Sequence, residues 1–184
     1  MWKAKSKVFF LSMAIIFSQQ IARADFDPTL KAALATVTRQ RDHTMSLASD
    51  ARTRARRIEN DSFPGRLPGS VPEYRYCQDA ASGRFDDMRT TYNRVLDSIR
   101  AGTATESDIR TTTRDSVTIN NVFIDTARRC LSRNDLVDFS ESTLTNAWMQ
   151  ILASYQTMNE KDKKKLSKHL DKKVRWKTTR PSGF

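Results

Sequence analysis

The residue types best suited to covalent chemistry are scarce in this chain, which has two cysteines and two histidines among 184 residues. Cys77 and Cys130 are 53 positions apart. In an oxidising compartment, an even and widely spaced pair is more often a disulfide than two free thiols. In the chain-entropy model, closing a loop of this length stabilises a fold by about 4 kcal/mol. We therefore predict a structural disulfide between Cys77 and Cys130.

The two histidines, His43 and His169, lie in polar stretches of sequence and are predicted to be surface residues. Two histidines are too few for a histidine-rich metal site. The chain has no G-x-S-x-G, no phosphate-binding glycine loop, no H-E-x-x-H and no C-x-x-C motif. A cysteine–histidine nucleophilic pair would need a free thiol, which the predicted disulfide removes. We expect no catalytic residue, no metal and no cofactor.

Carboxylates are the remaining candidates for catalysis. Asp138 and Glu141 are three residues apart and could share one face of a helix. Glycosidases need two carboxylates that flank the scissile bond. Acidic side chains in the first turn of a helix are also favoured by the helix dipole, and we prefer this interpretation. A cell-wall enzyme that uses Glu141 stays open as the less favoured alternative.

The C-terminal segment is strongly cationic. Residues 161–184 contain ten basic and two acidic residues, whereas residues 25–160 contain 18 basic and 19 acidic residues. A helix of this kind can lie on an anionic bilayer or an envelope polymer, burying leucine and tryptophan while its lysines meet phosphate. Nucleic acid would suit the charge, but export argues against it. The predicted anionic-surface residues are Lys163, Lys164, Lys165, Lys168, Lys172, Lys173, Arg175, Trp176 and Lys177.

The N-terminus has the pattern of a cleaved signal peptide. Three lysines precede an apolar run over residues 8–17, and Ala22-Arg23-Ala24 supplies the small residues that a signal peptidase reads. Ten helical residues cover about 15 Å, against about 30 Å of hydrocarbon core. We therefore predict a signal peptide over residues 1–24, cleavage after Ala24, and a periplasmic or secreted protein.

Helices must position these residues. Asp27-Pro28 predicts a helix start, and the apolar spacing that follows predicts a helix over about 28–60. A Pro/Gly-rich connection follows over residues 61–76. The next predicted helix, about 72–101, ends at Gly102 and carries the clearest apolar stripe. That stripe consists of Phe85, Met88, Tyr92, Val95 and Ile99.

The second half of the chain continues this pattern. Thr103 to Glu106 match a capping box, which predicts a third helix over about 104–132 despite several β-branched residues. A fourth helix is predicted to start near residue 136 and to run on into the cationic segment. We therefore predict an all-α bundle domain over residues 25–160 with about four antiparallel helices and a disulfide-clamped central hairpin. Residues 161–184 are predicted to form a basic helical extension with a frayed end, whose deletion would leave the thermal transition nearly unchanged.

The hairpin between Cys77 and Cys130, with Tyr92 in its first helix and Phe123 before the second cysteine, resembles that of the bacterial helical lysozyme inhibitors. The resemblance implies a cysteine-clamped helical hairpin and an inhibitory partner surface. An inhibitor of a cationic enzyme would be expected to present an acidic face, but residues 78–129 carry eight acidic and eight basic residues. The tryptophan expected before Cys130 is also absent. The resemblance therefore concerns the architecture alone.

These observations predict a binding protein rather than an enzyme. The expected protein is exported, has a protein partner in the cell envelope, and contacts an anionic lipid or polymer through its basic segment. An accessory role in an envelope secretion or conjugation apparatus would fit this description. The alternative from another class is a periplasmic inhibitor or chaperone-like module, which would need an exposed apolar or acidic face.

Overall fold

The structure, a computed structural model, describes residues 26–61, 71–82 and 85–177. These residues form helices joined by short segments, and no strand occurs among them. The all-α prediction is therefore confirmed for this part of the chain. The predicted signal peptide, most of the Pro/Gly-rich connection and the predicted frayed end lie outside the described residues. The helices are α1 (Pro28–Asp61), α2 (Pro72–Ser82), α3 (Phe85–Ala101), α4 (Glu106–Leu131), α5 (Glu141–Thr157) and α6 (Glu160–His169), followed by a π-helical turn (Leu170–Val174).

Local sequence signals set several helix ends. The Asp27 carboxylate accepts hydrogen bonds from the backbone N–H groups of Thr29 and Leu30, so it caps α1 as predicted. Gly102 has a φ of 69° and follows the end of α3. The N–H of Gly102 donates to the carbonyl of Ile99, and that of Thr103 to the carbonyl of Ser98. This is a Schellman motif, which requires the left-handed conformation that glycine adopts without strain.

The disulfide predicted between Cys77 and Cys130 is present, with the two Cα atoms 4.7 Å apart. Cys77 lies on α2 and Cys130 lies one residue before the end of α4, and both side chains are buried. Helix α4 packs against both α2 and α3. The disulfide therefore joins the two arms of the hairpin at the end opposite the turn that follows α3.

One hydrophobic core runs through the described part of the chain. Helix α1 packs against α2, α4 and α5, and its inward stripe is rich in alanine in its second half. Tyr92 of α3 lies at the centre of an aromatic cluster, with edge-to-face contacts to Trp148 and Trp176 at ring-centroid distances of 5.2 and 5.8 Å. The three rings join α3, α5 and the C-terminal segment.

A buried polar pair lies between α1 and α4. The Thr44 hydroxyl donates to the side-chain oxygen of Asn120 at 3.0 Å, and both residues are almost completely buried. The Asn120 amide in turn donates to the carbonyl of Ser116. Because an unpaired buried amide is costly, this pair favours one register between the two helices.

The middle of the chain differs from the predicted helix boundaries in two places. The single helix predicted over 72–101 is two helices, α2 and α3. The third helix begins at Glu106 because its N-cap is Thr105, whose hydroxyl accepts from the N–H of Asp108, two residues beyond the predicted Thr103 cap.

The predicted fourth helix also differs in its start and in its continuity. It begins at Glu141 rather than near 136, since Arg128 holds the preceding segment by donating to the carbonyl of Leu136 and to Asp138. It also does not run on, because Met158 is extended and Asn159 caps a new helix, α6.

The boundary predicted at residue 160 does not separate the core from an extension. Leu166, Leu170 and Val174 are fully buried, and Trp176 is 1% exposed. All four belong to the same hydrophobic cluster as the residues of α1, α3 and α4. Residues 160–176 are thus part of the packed body, and their apolar stripe packs against the other helices.

Candidate anion-binding surface

The cationic segment is fixed to the body through its backbone. The Arg41 guanidinium of α1 donates to the carbonyls of Lys173 and Val174 at 2.7 and 2.8 Å, and more weakly to that of Arg175. Lys173 and Val174 are the last residues of the π-helical turn, so their carbonyls have no partner within it. Arg41 therefore caps the C-terminus of this turn and adds a favourable charge at the negative end of its dipole.

A second set of contacts holds the segment to α3. The Asn93 side chain donates to the carbonyl of Trp176 and accepts from its backbone N–H, both at 3.0 Å. The Tyr92 hydroxyl is 3.2 Å from the carbonyls of both Val37 and Val174, to which it donates. Burial raises the pKa of Tyr92 well above its usual range, because the phenolate would lose its hydration. Tyr92 therefore remains a neutral donor at any physiological pH.

Three of the predicted surface residues are occupied by contacts within the protein. Arg175 pairs with Asp97 of α3 and with Asp171, and these carboxylates raise the pKa of the guanidinium. Lys163 lies 3.0 Å from Glu160, and its ammonium group is 5.9 Å from the ring centroid of Tyr155. Trp176 was predicted to enter an anionic surface, and this is wrong because its side chain is buried in the core.

The other six predicted residues divide into two groups. Lys164, Lys172 and Lys177 are exposed and make no ion pair within the described part of the chain. We call these three the outer lysines. Lys165, Lys168 and Lys173 line a groove between α6 and α1, and of these Lys165 also pairs with Asp162 at 3.1 Å. The structure thus separates a set of lysines that the sequence presents as one cluster.

The groove has a volume of about 1360 Å³ and is shared by two helices. One side consists of the three lysines and His169, and the other is a stretch of α1 that sequence reasoning did not connect with binding. The spacing of Lys31, Ala35 and Arg39 at four-residue steps was the available signal. The lining residues are Phe26, Lys31, Leu34, Ala35, Thr38, Arg39, Arg41, Asp42, His43, Lys165, Lys168, His169 and Lys173.

The electrostatics of this groove are strongly positive. Asp42 is the one carboxylate among the lining residues that the structure describes, and it already accepts two hydrogen bonds from Arg41. Partial burial and the nearby Lys173 lower the pKa of His169, so its imidazole is neutral at pH 7. Both histidines were predicted to be surface residues, and both are half-buried, each against a phenylalanine ring.

The candidate catalytic carboxylates are not arranged as a pair. Asp138 binds Arg128 at 2.7 Å. Glu141 lies exposed at a shallow depression of about 380 Å³, which is lined by Arg110 and polar side chains of α5 and by no second carboxylate from the described ranges.

No group of three or more histidine, cysteine or acidic side chains in residues 26–61, 71–82 and 85–177 is placed to hold a metal ion. No helix within those ranges has the length and apolar character needed to cross a bilayer.

Comparison with known proteins finds no matching family model, no matching curated protein and no matching solved structure.

Proposed function

We propose that this is an exported, non-enzymatic binding protein that attaches to an anionic surface of the cell envelope through its C-terminal lysines. Its scaffold would be an antiparallel bundle in which α1, α2 with α3, α4 and α5 are the principal layers. The observation that supports this most is the division of residues 160–176 into a buried apolar stripe and exposed lysines. Because the stripe is buried, attachment is electrostatic and does not require insertion into lipid.

Export is supported by two independent features. The N-terminal sequence has the charge, apolar length and small residues of a signal peptide. The fold contains a buried disulfide, a bond that persists mainly in oxidising compartments. A protein partner in the envelope and an accessory role in a secretion or conjugation apparatus are part of this proposal. The alternative, an inhibitor or chaperone-like module, lacks support because the described surface exposes only scattered large apolar side chains, Val122 and Val137.

The test is sedimentation of the chain from residue 25 onward with vesicles of mixed neutral and anionic phospholipid at increasing salt. We expect binding to anionic vesicles alone and its loss as salt rises, because the Debye length shrinks from about 30 Å at 0.01 M to about 8 Å at 0.15 M. Each lysine near the surface contributes about 1 kcal/mol. The double variant K164Q/K172Q should therefore bind roughly 10-fold to 30-fold more weakly.

A matched control variant distinguishes the effect of losing the outer lysines from the effect of lowering the net charge of the protein. R56Q/R57Q removes two exposed positive charges from the last turns of α1, more than about 20 Å along that helix from Arg41, which contacts the cationic segment. It should keep the vesicle affinity of the unmodified protein within about 2-fold, since these charges lie outside the contacting surface. Equal losses in the two variants would show a response to net charge alone, and absent binding at low salt would remove the proposed function.

A further inference from the structure

The groove between α1 and α6 is lined on both sides by positively charged side chains, which we call its two rows. On α1, Lys31 and Arg39 are eight residues apart with Ala35 between them, and all three are exposed. On the other side, Lys165 and Lys173 are also eight residues apart, with Lys168 between them. Eight helical residues rise about 12 Å, so each row has about this length. The small Ala35 side chain leaves the middle of the groove open.

The described lining of the groove has more cationic than anionic side chains. Asp42 is bound by Arg41, and Asp162 on α6 pairs with Lys165 at 3.1 Å and accepts a hydrogen bond from the Asn159 amide. Asp171, the other carboxylate of the cationic segment, faces α3, where it binds Arg100 and Arg175. The lysines and arginines on both sides therefore create a positive potential that a concave, partly desolvated shape strengthens.

We propose that this groove binds a linear polyanion with repeated phosphate groups, of the kind found in phosphate-bearing envelope polymers. The proposal rests on the proposed function and names the ligand class of one part of the same surface. A chain of phosphates can place charges along both rows, whereas one phosphate reaches only a few of the cations. Lysines suit this ligand because they act as mobile point charges and do not require bidentate geometry.

The shape of the groove favours a polymer over a bilayer. Lys165, Lys173 and Arg39 line a concave surface, so an extended chain that lies in the groove can contact the cations of both sides and the lining between them, whereas a flat membrane meets only the rims. The apolar lining is limited, since Leu34 is buried and Phe26 packs edge-to-face on His169 at 5.3 Å. The volume also exceeds the range of about 300–1,000 Å³ that is usual for pockets enclosing a small molecule.

The two histidines provide a specific measurement. His43 and His169 are the only histidines in the chain, and both line the groove. Their imidazole signals in a proton–nitrogen or proton–carbon NMR spectrum therefore report on the groove and on little else. Burial and, as the smaller cause, the charge of Lys173 lower the pKa of His169, so a bound anion that offsets this charge should raise that pKa.

The experiment is a titration of the chain from residue 25 onward with inorganic polyphosphate, followed by the histidine signals and by calorimetry. Polyphosphate should shift both imidazoles and raise the pKa of His169, and monophosphate at equal total phosphate should bind at least 10-fold more weakly. K168Q/K173Q should weaken polyphosphate binding by 10-fold or more. K164Q/K172Q, with the same loss of charge on the same segment, should weaken it by less than 3-fold.

Three outcomes would overturn the inference. Equal binding of monophosphate would show a single-phosphate site, and equal losses in the two double variants would show a diffuse charge effect. Larger shifts with anionic vesicles than with polyphosphate would assign the groove to lipid. Vesicle sedimentation of K164Q/K172Q tests the proposed function separately. The proposed function can therefore stand when the polyphosphate titration overturns this inference. The far-ultraviolet circular dichroism and the urea midpoint of K168Q/K173Q should match those of the unmodified protein, which checks that the variant is folded.

Discussion

Replacing Trp176 with alanine tests whether the cationic segment belongs to the body of the protein. The indole is 1% exposed and contacts Tyr92 edge-to-face, and its backbone is held on both sides by Asn93. Truncation of a buried Phe or Trp to alanine costs about 3–5 kcal/mol, through lost transfer free energy and the cavity that remains. Because whole domains are stable by about 5–15 kcal/mol, W176A should lose a large part of the total.

Urea denaturation followed by far-UV circular dichroism measures this loss. The matched control is the adjacent residue, since Lys177 is exposed and makes no ion pair within the described residues. K177A should change the free energy of unfolding by no more than about 0.5 kcal/mol. A loss below about 1 kcal/mol for W176A would mean that the indole is not buried in solution. Trp176 would then be a surface residue available to an anionic surface, as the sequence predicts.

Deletion of the cationic segment should destabilise the protein, whereas the sequence predicts a nearly unchanged thermal transition. A chain that ends at residue 159 lacks Leu166, Leu170, Val174 and Trp176, each worth about 1.5–3 kcal/mol of burial. It also leaves their apolar contacts on α1 and α3 exposed. We expect this truncation to unfold or strongly destabilise the protein, so loss of vesicle binding in such a chain would say nothing about the lysines. Point substitutions are therefore the appropriate test of binding.

Two further predictions concern the hairpin. Thiol labelling of the exported protein should find neither Cys77 nor Cys130 free, and C77S/C130S should lose about 4 kcal/mol by the chain-entropy model; quantitative labelling of both thiols would contradict this. Y92F should lose only about 0.5–1.5 kcal/mol, because the Val174 carbonyl keeps its bond from Arg41 when the phenol donor is removed. Y92A should lose about 3–5 kcal/mol; a negligible loss for Y92A, measured by urea denaturation, would place Tyr92 in solvent.

The sequence predicts best those features that depend on neighbouring residues. The start of α1 follows from the Asp27 carboxylate, and the turn after α3 follows from Gly102, because each signal acts within four or five residues. The disulfide follows from the number of cysteines and the expected compartment. The division between α2, which ends at Ser82, and α3, which begins at Phe85, was not predicted, because the apolar stripe from Phe85 to Ile99 lies entirely on α3 and carries no information about the residues before it.

What the sequence could not supply is the surface that the cationic segment packs against. Leu166, Leu170 and Val174 are visible as a stripe among lysines, but such a stripe is equally typical of a helix on a membrane. Its place in the core depends on contacts with residues more than 70 positions earlier, such as Arg41 and Asn93. The groove depends on the same long-range packing, so the contribution of α1 to it has no local signature beyond the spacing of its cations.

This packing limits how the protein can bind an anionic surface. Insertion of Trp176 or Leu170 into lipid would require the segment to leave the body, which breaks the Arg41 and Asn93 contacts and exposes the aromatic cluster around Tyr92. Contact through lysines alone leaves the fold unchanged and depends steeply on salt. The two modes therefore differ in a measurable way. Under the packing described here, vesicle binding should leave the near-ultraviolet circular dichroism of the aromatic cluster unchanged, whereas insertion would abolish it.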